Sequence, residues 1–139
     1  MSYLFDADVV SAARRPERLP LQVATWLASV PQSQVFLSVV SLLEIEVGVR
    51  RLERSDPAQG AVLRRWKTDV VAKAFRGRML PIDEAVADAC AALHVPDPRR
   101  QLDALIAATA IVHGLTVITR NFADFAPMGV STLDPWRQS

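Results

Sequence analysis

A chain of 139 residues, half of them hydrophobic, is long enough to close one core and short for two, so residues 1–139 are expected to form a single domain. Sixteen basic residues against fifteen acidic leave a net charge of +1, which excludes a protein that coats nucleic acid by bulk charge. The lone cysteine, Cys90, excludes an internal disulfide, and without a leader or a long uncharged apolar run the chain is expected in a reducing cytoplasm with no membrane contact.

The first predicted element is a strand, YLF, which stops at Asp6. A helix over Leu21 to Val30 follows the proline-bracketed stretch RRPERLP. A second strand, VFLSV, runs into SLLEIEVGVRRLE, where Ser41 and Glu44 fit an S-x-x-E capping box that puts Glu44 in a first helical turn. After SDPAQG, the residues Val62, Leu63, Trp66, Val70 and Ala74 recur at three-to-four spacing, which predicts an amphipathic helix paired with its predecessor as an αα-hairpin.

A short strand, RML, comes next, then Asp83 as the N-cap of a helix reaching His94, and VPDPRR as a loop. The segment QLDALIAATAIVHGLTVITRN predicts an apolar helix from near Leu102 to His113, stopped by Gly114, and a strand, LTVIT, that exits into polar RNFADF. A final strand, VSTL, precedes the tail. Apolar runs that each break off at a polar residue and alternate with helical patterns define an α/β protein built on a mostly parallel sheet.

In such a sheet, ligands bind beyond the carboxyl ends of the strands. Asp6 ends one strand, Glu44 follows another, and Asn121 and Asp124 lie past the exit of a third. Asp103 is brought to the same rim because its helix runs back along the sheet to feed that third strand. Carboxylates gathered in this way repel one another unless a cation is shared between them. With oxygen donors alone, and no nearby cysteine or paired histidine, the ion expected is Mg²⁺, with Mn²⁺ as a substitute. Each acid also has a purely structural reading: Glu44 as half of its capping box, Asp103 as a favourable charge at a helix N-terminus, Asp6 as a turn former, Asp8 as the start or cap of the next turn, and Asp124 as a solvated loop acid.

Taken together, YLFDADVVS, LSVVSLLEIEVGVRRL, GRMLPID, LDALIAATAIVHGLTVITRNFADF and LDPW resemble the PIN-domain ribonucleases of the VapC toxin type, nearly end to end. The resemblance implies a PIN-like parallel sheet between helical layers and a metal-dependent endoribonuclease. It also implies a homodimer neutralised by a small VapB-like antitoxin. The family's first three acids fall on Asp6, Glu44 and Asp103; a fourth, acidic in many members, falls on Asn121, which is neutral. Either the site works with three carboxylates or Asp124 compensates from three residues on, with Asp8 as a source of some of the missing charge, and Thr119 matches a family hydroxyl near the metal. On this reading Asp6 and Asp103 hold Mg²⁺ while Glu44 orients or deprotonates a water.

Fourteen of the sixteen cations are arginine, whose planar fork suits phosphate, although a GC-rich coding sequence produces the same bias. Arg14, Arg15, Arg99, Arg100 and Arg120 are placed near the rim and are expected to steer RNA phosphates. Two other readings remain. FDADVV also fits the D-x-D-x-V opening of haloacid-dehalogenase-type phosphatases, which need a downstream lysine near the phosphate, and only Lys67 and Lys73 are available. The second is a non-catalytic binding module on the same fold, with Trp26, Trp66 and apolar helix faces serving a partner.

Overall fold

The computed structural model describes residues 1–137. Five parallel strands, β1 (Tyr3–Phe5), β2 (Val35–Ser38), β3 (Met79–Leu80), β4 (Thr116–Ile118) and β5 (Thr132–Leu133), form one sheet in the order β3-β2-β1-β4-β5. The first strand is therefore central. The chain winds outward from it in one direction through β2 and β3 and in the other through β4 and β5, so a topological switch point lies between β1 and β4. There Phe5 is in register with Ile118, which places the residues leaving both strands side by side.

The strands are short and apolar because both faces are covered. Leu4 and Val117 face one core with α6 (Glu84–Leu93) and α7 (Gln101–His113); Phe5, Leu37 and Ile118 face the other with α1 (Ala7–Ala13) and α3 (Val39–Ser55). The small helix α2 (Leu21–Ser29) lays Trp26 and Leu27 against this second core. Helix α7 buries Ala104, Ala107, Ala108 and Ala110, small side chains that allow it to lie close to the sheet and to α6. Gly114 ends it with φ 66°, a left-handed conformation that a Cβ would penalise. No helix among the described residues is long and apolar enough to cross a membrane.

Two local expectations are corrected. Helix α3 starts at Val39, not Ser41: the Ser38 side chain accepts from Val40 N–H at 3.0 Å, and Glu44 lies in the second turn. Ser41 is fully buried and its hydroxyl has no hydrogen-bond partner, so the capping box is absent. The apolar S-x-x-E pattern fits a cap, but the strand preceding it supplied a better one three residues earlier.

The hairpin partner of α3 is α4 (Pro57–Trp66), and Asp56 joins them with no loop between. Its N–H closes α3 on the Leu52 carbonyl while its Oδ1 accepts from Gln59 N–H at 3.2 Å. Beyond α4 a π-helical turn, Lys67–Val71, leads into α5 (Ala72–Ala74). That turn advances the register by one residue. Val71 and Phe75 are consequently buried, whereas Val62 and Val70 of the predicted stripe are exposed.

Candidate active site

Asp6 is the first residue after β1. Its N–H donates to the Ile118 carbonyl at 3.1 Å and its Oδ1 accepts from Val9 N–H at 2.9 Å, so the side chain that ends the strand also caps α1. A carboxylate held by strand and helix together cannot swing away, and it is only 6% exposed. Thr119, the residue after β4, is fully buried; its hydroxyl bonds the Asp6 carboxylate and accepts from Asn121 N–H at 3.0 Å. Asp8 occupies the first turn of α1, capped by Asp6 and not by Asp8 itself.

Glu44 comes from the second turn of α3 and Asp103 from the first turn of α7. Asp6, Asp8, Glu44, Asp103 and Asn121 line one small cleft of about 30 Å³, closed beneath by Ile106 and by Phe125 of α8 (Phe122–Phe125). Four chain-distant segments thus meet at the switch point, as the rim argument anticipates. Ile106 and Phe125 are not singled out by the sequence reading; their apolar character gives no sign that they floor an acidic cleft.

The acids are electrostatically uncomfortable. Burial raises the Asp6 pKa above its ordinary value, against the hydrogen bonds of Thr119 and Val9 N–H, and the charges of Asp8 and Asp103 add to the rise. Glu44 is raised first by burial and then by the charges of Asp103, Asp6 and Asp8. Asp103 is raised by burial and by Asp124, while Arg100 pulls the other way. Ion pairs among the described residues go to Glu46, Glu53 and Asp124, and neither Asp6 nor Glu44 receives one.

The donor set fits a hard divalent cation: carboxylate and amide oxygens line the cleft, while Cys90 of α6 and His94 at its C-cap face each other away from it. The side chains do not stand as a preassembled cage, since among the described residues no three His, Cys, Asp or Glu form a ready metal-ligand group. The chemistry is that of a cation site; the arrangement is that of an open acidic cleft.

Asp124 lies outside this cleft. It lines the adjoining one with Asp103, Arg99 and Arg100, and its carboxylate is 3.7 Å from the Arg100 guanidinium, so it does not replace the charge that Asn121 lacks. Arg14 sits 6.0 Å over the Trp66 ring at an apolar cleft of about 340 Å³. Arg15 and Arg120 line a fourth cleft. The lysine required by the phosphatase reading is not at the acids: Lys67 is paired with Glu46, and Lys73 is exposed on α5. Trp26 and Trp66 are half-buried, packed against the second core.

Residues 3–126 match the PIN domain family. The chain is 33% identical to Toxin FitB of Neisseria gonorrhoeae over 138 residues, covering 96% of this chain and 97% of that protein. It is 47% identical to Ribonuclease VapC14 of Mycobacterium tuberculosis over 75 residues, 54% of this chain and 72% of that protein. Among solved structures, that of FitAcB from Neisseria gonorrhoeae superposes with a TM-score of 0.87 at 31% identity, covering 98% of this chain and 99% of that one.

Proposed function

From the premise that the chain belongs to the PIN-domain family, among its VapC-type toxins, we propose that it is an endoribonuclease that hydrolyses RNA phosphodiester bonds with the help of Mg²⁺. The observation that carries this reading is the convergence of Asp6, Glu44 and Asp103 on one cleft, with every pKa raised and no protein cation on Asp6 or Glu44. Asp6 and Asp103 are the side chains that would hold the ion. When bound, a divalent cation supplies charge neutralisation at the scissile phosphate and a lowered pKa for water.

The protein's own residues do the remainder. Glu44, whose pKa is raised by burial and by the neighbouring acids, takes the proton of the attacking water at its carboxylate. Thr119 and Val9 N–H hold the Asp6 carboxylate in one orientation. Asn121 is tied by its N–H to Thr119 and presents a neutral amide where many family members carry an acid, so Asp8 is the additional negative group of the cleft.

The relative Toxin FitB, the solved FitAB complex and a solved toxin-antitoxin complex from Klebsiella pneumoniae support an antitoxin as partner; a small VapB-like antitoxin and a homodimeric toxin are the finer form of this proposal. Purified protein freed of antitoxin is expected to cut RNA in Mg²⁺ and to stop on addition of EDTA. Absence of scission, or scission that survives EDTA, would remove the proposal; release of phosphate from small esters alone would favour phosphatase chemistry.

A further inference from the structure

A polyanion approaching Asp6, Asp8, Glu44 and Asp103 is repelled, so a nuclease built on these acids needs positive charge close by. The cleft of Arg15 and Arg120 supplies it. Arg15, Arg18, Arg120 and Trp136 line a cleft of about 400 Å³ with Ser11 and Pro20 beside them. None of the three guanidinium groups has a carboxylate partner among the described residues, in contrast to Arg50, Arg64 and Arg100. Three uncompensated cations sharing one concavity repel each other, an arrangement that an anion relieves.

The cleft is built and not merely charged. The Arg120 guanidinium lies 4.8 Å from the centroid of the Trp136 ring. Trp136 is itself fixed by its N–H to Asp134 Oδ1 at 2.9 Å and by its carbonyl, which accepts from Gln22 at 3.2 Å. A guanidinium plane resting on an indole keeps its fork oriented and leaves its other face for a base or a phosphate.

The cleft also adjoins the acids through shared elements. Arg120 stands between Thr119, bonded to Asp6, and Asn121, which lines the acidic cleft. Along α1, Asp8 belongs to the acids and Ser11 to the basic cleft, a separation of about 4.5 Å at the helical rise. A strand seated on the arginines therefore needs only a short step to bring its next phosphate to the carboxylates.

We propose that the cleft of Arg15, Arg18, Arg120 and Trp136 is the subsite that holds the backbone of single-stranded RNA beside the point of cleavage. It rests on the ribonuclease reading. Arg18 is its addition to the arginines that the sequence singles out, while Arg14 and Arg100 are assigned elsewhere by their contacts with Trp66 and Asp124.

The test is binding of a fluorescently labelled single-stranded RNA of mixed sequence in EDTA, where no cleavage intervenes, to the wild type and to Arg15→Ala with Arg18→Ala. The double variant is expected to bind about tenfold more weakly, with the slope of log K against log salt smaller by about 1.4, roughly 0.7 for each lost phosphate contact. With Mg²⁺ its KM rises while kcat holds. A control pair, Arg54→Ala with Arg76→Ala, removes the same charge from exposed positions outside the cleft and is expected to bind like the wild type. Arg120→Ala reports independently and follows the first pair.

Wild-type RNA binding in the first pair, or an equal loss in the control pair, overturns the subsite. So does a variant that holds RNA normally but releases its antitoxin, which would give the cleft to a protein partner. A wild type that binds RNA through these arginines in EDTA yet never cuts it in Mg²⁺ would sink the nuclease reading, and with it the placement beside a point of cleavage, but not RNA binding by the cleft; one that cuts, with its variants binding normally, would sink only the subsite.

Discussion

Glu44 and Glu46 stand two residues apart on α3 and meet opposite surroundings. At 3.6 residues per turn they point to nearly opposite sides of the helix. Glu46 accepts from Arg50 at 2.6 Å, from Arg64 at 2.8 Å and from Lys67, and these cations hold its pKa down at about 2. Glu44 faces Asp6, Asp8 and Asp103 with no cation, and its pKa is raised. One carboxylate is satisfied by the fold it fastens, joining α3 to α4. The other is left wanting a partner that the protein does not supply. Stability and chemistry are thus separated on two faces of a single helix.

The sharpest way to break this comparison is at Asp103. Asp103→Asn keeps volume and removes charge, so RNA cleavage should fall to background while circular dichroism and thermal unfolding report an intact fold; in the wild type Mg²⁺ should raise Tm by mass action, and in the variant that rise should shrink. Wild-type cleavage by Asp103→Asn would reject its assignment.

On α3 itself, Glu44→Gln is expected to lower kcat by roughly 10²–10⁴ as a proton acceptor is lost. Glu46→Gln should cut RNA at the wild-type rate and lose about 1 kcal/mol in urea titration, because Arg50 is exposed, Arg64 and Lys67 are only partly buried, and solvent screens the network. Equal kinetic effects at the two positions would dissolve the distinction between the faces.

The paired face can also be forced apart. A Cβ on Gly60 would meet Glu53 Cα at 2.4 Å, backbone that cannot step aside, so Gly60→Ala should cost about 1–3 kcal/mol by denaturant midpoint. Nearby, Ser41→Ala removes a buried hydroxyl without a partner and should stabilise by about 1 kcal/mol. Loss of stability there would instead show that the hydroxyl makes a bond.

The smallest expected effect is the pH dependence, and its two parts have opposite signs. Asp6, Glu44 and Asp103 have raised pKa values in the fold, so the folded state binds their protons more tightly. Their contribution is fully present below the unfolded carboxylate pKa and is lost as pH rises through the raised values. Glu46 contributes above its ordinary 4.5 and loses that contribution as pH falls toward about 2. Urea midpoints measured from pH 7 down to pH 4 should therefore show Asp103→Asn gaining most over the wild type at neutral pH. A gain that grows on acidification would contradict the raised pKa.

Much of this was legible beforehand because it depends on local chemistry. Asp83 caps α6 by accepting from Val86 N–H, Gly114 ends α7, and the apolar runs of β1, β2 and β4 stop at polar residues, as each short pattern predicts. The rim placement of Asp6, Glu44 and Asp103 follows from strand order and helix direction alone. The misread features are those in which two local signals competed or a small backbone change shifted register. Ser38 displaced Ser41 as the cap, and the π turn moved the buried stripe to Val71 and Phe75.

The sequence by itself determined the α/β alternation, the Asp83 cap and the Gly114 stop, and which acids end up beyond the strands, since hydrophobic period and capping chemistry act over a few residues. Only the tertiary structure decided which charges are compensated. Glu46 is neutralised by Arg64 and Lys67, eighteen and twenty-one residues away; Asp124 is turned toward Arg100; and Arg15, Arg18 and Arg120 are left together against Trp136. Coulomb interactions depend on separation in space, and spacing along a chain fixes that separation only after the chain has folded.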